Sequence, residues 1–429
     1  MEGAPVSLPA YWRLLRDNRN FRKLWLAQII SEIGDWFYTV ALYALLYDLT
    51  GSARSLSTAL MFQVLPQFFF GPIAGAINDR LSRRAVMIFS DCARALIVLL
   101  MVFFRTREML PFLYFLLLCE TVGWALFEPA RSAIIPNITH SDAETVTANG
   151  LSSTTWAFNF FFGAAVGGVA AAAFGRETVF LINSASFIVS ALLVRSMVFH
   201  EPHLEGQPPF RWRDLFDFKP VVAGLRYVRD HAEIRPVIFL KAGVALMGTN
   251  WVILPILGER TFPLQVFGID SHKAGMLGMS ALLGARGLGA LIGPLTGGSW
   301  AGKDVARMRL GVALGFLLIL AGYTSLGFAN TIWLAVPAVA LAHSGGSMVW
   351  VFSSSMLHFM TEDKFRGRVF SADYMFMTLT LSITSMIAGT AIDGGVSLQA
   401  VCIGTGLAAL LPLSLWSWAG FKKRAGVQP

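Results

Sequence analysis

The sequence predicts an all-α polytopic membrane protein with twelve transmembrane helices in two six-helix halves. Three observations carry that prediction. The 429 residues are 55% hydrophobic and 14% charged, whereas soluble domains are about 25% charged. Apolar runs recur from end to end with no long polar interval; each is about 20 residues, enough to cross a hydrocarbon core of roughly 30 Å. The turns between them are short and basic, the pattern of loops that stay on the inner face of a membrane. A soluble chain of this length would divide into domains with polar surfaces of their own.

Taken in order, the first span is 24–47. It follows a stretch carrying Arg13, Arg16, Arg19, Arg22 and Lys23, and its apolar run is too long for a signal-peptide core, so its retention is expected. Spans two and three, 56–77 and 85–104, flank the polar turn Gly75-Ala76-Ile77-Asn78-Asp79-Arg80-Leu81-Ser82-Arg83-Arg84 and form a hairpin closed at the inner surface. Spans four to six follow at 110–130, 146–173 and 178–199. The only sizeable loop, 200–234, opens with Glu201-Pro202 and Gln207-Pro208-Pro209. Phe216, Val221, Val222, Leu225 and Val228 then recur at helical spacing, which predicts an amphipathic helix lying on the inner membrane surface. The remaining spans are 235–257, 273–298, 307–328, 331–357, 368–391 and 397–420. Gly287-x-Gly289-x-x-x-Gly293-Pro294 lacks the Gly-Lys-Ser/Thr ending of a phosphate loop and reads as close helix packing with a kink at Pro294. Nothing suggests an ATPase, and the expectation is a protein that is not an enzyme and needs no cofactor.

The division expected is therefore 1–199, a cytoplasmic linker 200–234, and 235–429. Charge tests the topology. With both termini inside, 24 Lys and Arg collect on the cytoplasmic side and six outside, with Arg94, Arg195, Lys241 and Arg286 within spans. The net charge of +8 thus serves orientation toward anionic lipid rather than nucleic-acid binding. Cys92, Cys119 and Cys402 all fall in apolar runs, with no CxxC, which argues against disulfides or a metal site. The halves echo one another weakly: Gly163 and Gly167-Gly168 in span five have a counterpart in Gly389 and Gly394-Gly395, and Gly297-Gly298 with Lys303, Arg307 and Arg309 stands where the first half has its acid-and-arginine turn. Internal repeats of this kind build many secondary transporters, with a substrate site between the halves at mid-depth.

Function is then sought among ionisable residues deep in the spans, because a charge there is costly and normally faces a cavity or a partner. Glu32, Asp35, Arg94, Glu120, Arg286 and His343 lie deepest. Glu32 and Asp35 are three apart and share a helix face. In one reading a carboxylate of this set loads and releases the coupling proton; in the other the acids pair permanently with Arg94 or another polar group and pin the bundle. Asp91 and Arg94, also three apart, suggest an ion pair along one helix. Arg286 could meet an anionic substrate group, the first-half acids, or a structural partner. Lys241 and Asp373 lie within snorkelling reach of the surface, and His343 reads as a packed histidine that could still titrate.

The Gly75–Arg84 turn resembles the loop motif between spans two and three of the major facilitator superfamily, with Ser82 where that family usually has Gly. Further stretches carry the resemblance along nearly the whole chain: Phe127-Glu128-Pro129-Ala130-Arg131-Ser132-Ala133-Ile134-Ile135-Pro136, Ala148-Asn149-Gly150, Gly163-x-x-x-Gly167-Gly168, Leu181-Ile182-Asn183-Ser184-Ala185-Ser186-Phe187, Ala223-Gly224-Leu225-Arg226-Tyr227 and Arg366-Gly367-Arg368-Val369. Together they are similar to the bacterial branch that includes macrolide, multidrug and siderophore exporters. Ser31-x-x-Gly34-Asp35 also resembles lysophospholipid transporters. The resemblance implies that Gly75, Asp79, Arg80, Arg83, Arg84 and Arg131 belong to a gating motif, with the acid latching onto the start of the eleventh helix; the alternative is a loop that only sets topology. It also implies that Trp36, Trp124, Trp156 and Trp251, among other aromatics of spans one, four, five, seven and ten, line the cavity. An aromatic cavity with few charges suits bulky amphiphiles. The expectation is a monomeric secondary transporter of the bacterial inner membrane, exporting a bulky amphiphilic compound in exchange for protons; a lysophospholipid flippase is the competing reading.

Overall fold

Helices make up nearly all of the computed structural model, which describes residues 7–205, 219–265, 270–302 and 304–424. The first seven helices are α1 Leu8–Asp17, α2 Arg19–Thr50, α3 Ala53–Arg80, α4 Arg83–Met101, α5 Leu110–Ile138, α6 Asp142–Phe174 and α7 Arg176–Arg195. A short helix, α8 Lys219–Asp230, precedes the run Arg235–Thr261 (α9), which is assembled from brief α, 3-10 and π turns around Pro255. Then come α10 Ser271–Ala301, α11 Val305–Phe328, α12 Ile332–Met360, α13 Asp363–Asp393, and the pair α14 Leu398–Ala408 and α15 Leu410–Arg424 that makes up the last predicted span.

Eleven helical segments among the described residues are long and apolar enough to cross a bilayer. The remaining predicted span is α4, 19 residues long, which carries Arg83, Arg84, Asp91 and Arg94 and falls outside that class by charge. Two boundaries differ from expectation for identifiable reasons. α5 runs on to Ile138 through Pro129 and Pro136, because Ile134, Ile135 and Ile138 are buried against Phe21, Leu24 and Ala148. α6 starts early, at Asp142, where Ser141 Oγ accepts from the Glu144 N–H as its cap.

The chain packs as two compact units, Met1–Leu42 with Pro66–Asp217 and Tyr43–Leu65 with Phe218–Pro429. The second unit thus takes in Tyr43–Leu65, which the sequence division assigned to the first half. Within that unit the Asp393 carboxylate, at the end of α13, accepts from Ser52 Oγ at 2.5 Å and from the backbone N–H groups of Ala53 and Arg54 at 2.8 and 3.1 Å, capping α3.

The amphipathic helix expected in the linker is present as α8, with Tyr227 and Val228 buried and Val222 exposed. Tyr227 stacks on Phe365 at 4.4 Å, and a Cβ at Gly224 would lie 2.5 Å from the Arg368 carbonyl oxygen, so α8 is docked on the first turns of α13. Gln207, Pro208, Pro209, Phe216 and Lys303 lie outside the described residues. In the same unit, α10, α11 and α12 approach at glycine contacts: a Cβ at Gly289 would lie 2.2 Å from Ala340 O, at Gly293 2.1 Å from Ser344 O, and at Gly345 2.3 Å from Gly315 O. Small residues that let backbones meet are how helices associate where lipid offers no hydrophobic drive.

Candidate functional site

In the first unit, Arg94 lies between two carboxylates supplied by neighbouring helices. Its Nη2 donates to Asp35 Oδ2 at 2.8 Å, and its Nε donates to Glu120 Oε1 at 2.9 Å. The guanidinium also sits 4.1 Å from the centre of the Phe187 ring. The room for this comes from missing side chains. A Cβ at Gly123 would fall 2.8 Å from Arg94 Cγ, and one at Gly34 2.4 Å from Asn183 Oδ1. α4, α5, α2 and α7 can therefore converge on one point near the middle of the first three. Asn183 Nδ2 completes the site with a 3.3 Å bond to Asp35 Oδ1.

The three charged side chains are not equally enclosed. Arg94 is 3% exposed and Glu120 11%, while Asp35 keeps 27% of its surface. One cation faces two carboxylates, so a proton on either acid leaves a balanced pair with the other. The ion pair along α4 expected between Asp91 and Arg94 gives way to these cross-helix bonds; Asp91 is buried beside Ser190 of α7.

Glu32, one turn before Asp35, belongs to a second network. It accepts from Gln28 Nε2 at 2.9 Å and from Asn159 Nδ2 at 2.8 Å. Gln28 Oε1 in turn accepts from Arg131 Nη1 at 3.1 Å, and Arg131 forms a two-pronged bond with Glu128 at 2.9 and 2.5 Å. Arg131, placed in the gating motif from sequence, is therefore tied to the Glu32 side of the bundle. Beside it, Trp36 and Trp156 both pack on Phe160, at 4.5 and 5.7 Å between ring centres. Trp156 is half exposed, and Trp124 is half buried on α5 next to Gly123.

The loop arginines bind backbone carbonyl groups of α5 and of the turn after α7. Arg83 Nη1 donates to Ala133 O at 3.0 Å, and Arg84 Nη1 donates to Met197 O at 3.0 Å. Cations suit helix C-termini, where carbonyl groups are left over. Asp79 keeps 75% of its side chain exposed, 3.9 Å from Arg83 Nη2. Arg80 ends α3, and a Cβ at Gly75 would meet nothing within 4 Å. Glu201, unremarked as a site in the sequence, accepts from Ser82 Oγ at 2.6 Å and from the Arg83 N–H at 2.8 Å, an acid at the positive end of α4.

In the second unit, the Arg286 guanidinium lies 3.8 Å over the Trp251 ring, and Tyr43 stacks on the same indole at 6.0 Å between ring centres. Such stacking holds a cation in apolar surroundings. His343, 5% exposed, hydrogen-bonds to the buried Tyr323 hydroxyl at 2.9 Å. Lys241 and Asp373, expected to snorkel, instead form a buried pair at 2.6 Å, 6% and 1% exposed, with the ammonium 4.8 Å from the Trp350 ring centre.

Sequence reasoning missed Gln28, Asn159 and Asn183 as partners of the deep acids. The signal was available: amides in apolar spans seek polar partners, and Asn183 lies in the quoted Leu181–Phe187 stretch.

Known proteins agree with this architecture. A family model described as a transmembrane secretion effector matches residues 11–423. The MFS-type transporter YfiS of Bacillus subtilis is 31% identical over 182 residues, 42% of this chain and 43% of that relative. The multidrug resistance protein MdtG of Salmonella dublin is 25% identical over 98% of both chains, and macrolide efflux protein A of Streptococcus pyogenes is 26% identical over 43% of this chain and 44% of its own. Among solved structures, the nucleoside transporter NupG superposes with a TM-score of 0.72 at 13% identity, over 94% of this chain and 99% of that one. A likeness at that identity speaks for the fold. Eleven membrane-capable helical segments among the described residues, paired charges deep in the spans and a family match over nearly the whole length agree: the chain belongs to the transmembrane secretion effector family of the major facilitator superfamily, among transporters of the efflux branch.

Proposed function

We propose that this protein exports a bulky amphiphilic organic compound in exchange for protons, by alternating access, from the inner membrane with both termini in the cytoplasm. The observation that carries the reading is the Asp35–Arg94–Glu120 arrangement, with Arg94 enclosed and Asp35 partly open. An arginine held between two acids tolerates loss of one negative charge, so Asp35 can take up a proton while Arg94 stays paired with Glu120. Exposure makes Asp35 the proton carrier and Glu120 the fixed partner. In the second unit Arg286 on its Trp251 platform offers the substrate a positive charge, and in the first Trp36, Trp124 and Trp156 offer aromatic surface. The Gly75–Arg84 turn acts as the inner gate. The macrolide and multidrug relatives favour a drug-like substrate.

A second reading, a lysophospholipid transporter, is favoured by one feature. A groove of about 580 Å³ in the second unit is lined by Met61, Leu65, Leu379, Ile383, Met386 and Ile387, a surface suited to an acyl chain.

Proteoliposomes separate the two. With erythromycin and ethidium as probes, exchange for protons predicts a pH change in the lumen that tracks substrate and collapses with a protonophore. Lysophosphatidylethanolamine translocation without proton movement would replace the first reading with the second.

A further inference from the structure

The geometry points to α1 as a surface that rests on an anionic phospholipid leaflet. Leu14 is buried, and Tyr11 and Leu15 pack beside it against the core of the first unit. Advancing about 100° per residue around the helix, the next strip holds Leu8 and Trp12, 82% and 70% exposed. Arg13 and Arg16 are exposed on the flank of that strip. Apolar side chains bordered by arginines are the composition of helices that lie in the membrane interface, and tryptophan is at home there.

Three features choose the lipid surface as the occupant. The first is rigidity. Asn18, 4% exposed, joins α1 to α2 and is bolted in place: its Nδ2 donates to Ile138 O at 2.6 Å and to Glu144 Oε1 at 2.7 Å, and its Oδ1 accepts from the Phe21 N–H at 2.9 Å. Trp12 is thus presented by a fixed helix. The second is continuity: α2 begins at Arg19, one residue after Asn18, and is itself a span, so α1 lies where that span leaves the bilayer. The third is charge. Arg13, Arg16, Arg19, Arg22 and Lys23 outnumber Asp17 in this segment, which suits phosphate-bearing headgroups.

The test uses the full-length protein with Cys92, Cys119 and Cys402 replaced by Ala and an environment-sensitive fluorophore on Leu8→Cys, which leaves Trp12 in place. The protein is reconstituted in phosphatidylcholine vesicles with and without phosphatidylglycerol. A blue-shifted label, quenched by shallow spin-labelled lipid only when phosphatidylglycerol is present, is expected. Each of Arg13→Gln and Arg16→Gln weakens that partitioning by roughly fivefold, and Arg13→Lys with Arg16→Lys preserves it. A label on Trp12→Cys repeats the measurement from the other end of the strip. Water-like emission at both positions in both compositions overturns the proposal. So does equal shielding without anionic lipid, and so does shielding that appears only on adding a protein extract, which would make the occupant a protein.

Discussion

Asp35→Asn tests the division of labour between the two acids. The substitution is nearly isosteric and leaves Arg94 facing Glu120 as a one-to-one pair, with both 2.9 Å approaches to Glu120 Oε1 intact. What changes is the acceptor of the 2.8 Å bond from Arg94, now a neutral amide oxygen, and the 3.3 Å bond from Asn183, which now meets an amide NH2. Charged hydrogen bonds contribute about 1.5–3 kcal/mol and neutral ones about 0.5–1.5, so the folding cost is about 1 kcal/mol and the protein survives purification. Transport is affected differently. Uphill movement of ethidium or erythromycin driven by a pH gradient in proteoliposomes falls to background, while exchange between equal substrate pools continues. Glu120→Gln, at the enclosed end, leaves Arg94 paired with Asp35 and retains gradient-driven transport. Unchanged uphill transport and unchanged pH dependence in Asp35→Asn would refute the assignment, as would the reverse pattern between the two variants.

Three further outcomes follow from the packing. Arg94→Met leaves two buried acids without their cation and costs about 3–5 kcal/mol, most of it recovered when Asp35→Asn and Glu120→Gln are added; thermal unfolding in detergent reads both. Lys241→Met and Asp373→Asn each destabilise by a similar ~3–5 kcal/mol, and the double variant returns close to the parent, a coupling that a double-mutant cycle measures directly. Gly289→Leu places a side chain where a Cβ alone would lie 2.2 Å from the Ala340 carbonyl oxygen, and it abolishes a monodisperse peak in size-exclusion chromatography, whereas Gly298→Ala, with nothing within 4 Å, elutes as the parent does.

The succession of helices was legible because its signal is local, the length of each apolar run. Asp35, Glu120 and Arg94 could also be singled out, since depth along a span is a matter of counting. Their pairing could not. Spacing joined Arg94 to Asp91 on its own helix, but the guanidinium reaches across to α2 and α5 through gaps left at Gly34 and Gly123. Which helix faces which is decided by packing over distances of 26 and 59 residues in the chain. The same holds for Lys241 and Asp373, 132 positions apart. For α8, periodicity announced an apolar face without saying what covers it, and Tyr227 finds Phe365 rather than lipid. The fourth span was bounded at 130, and the helix runs on to Ile138 because the isoleucines beyond that point are buried.

α4 also bears on how the protein is made. Presented singly to the translocon, a central Asp or Arg opposes entry into the bilayer by about 2.5–3.5 kcal/mol, and each Leu, Ile or Val returns only about 0.3–0.6. With Asp91 and Arg94 in a helix of 19 residues, this segment is a poor client on its own. Its natural escort is α2, already synthesised and offering Asp35, with α5 and Glu120 emerging shortly after. Biogenesis of the amino-terminal bundle is therefore a concerted affair in which α4 waits in the company of its neighbours, and the pairing of Arg94 with Asp35 and Glu120 sets the order of assembly.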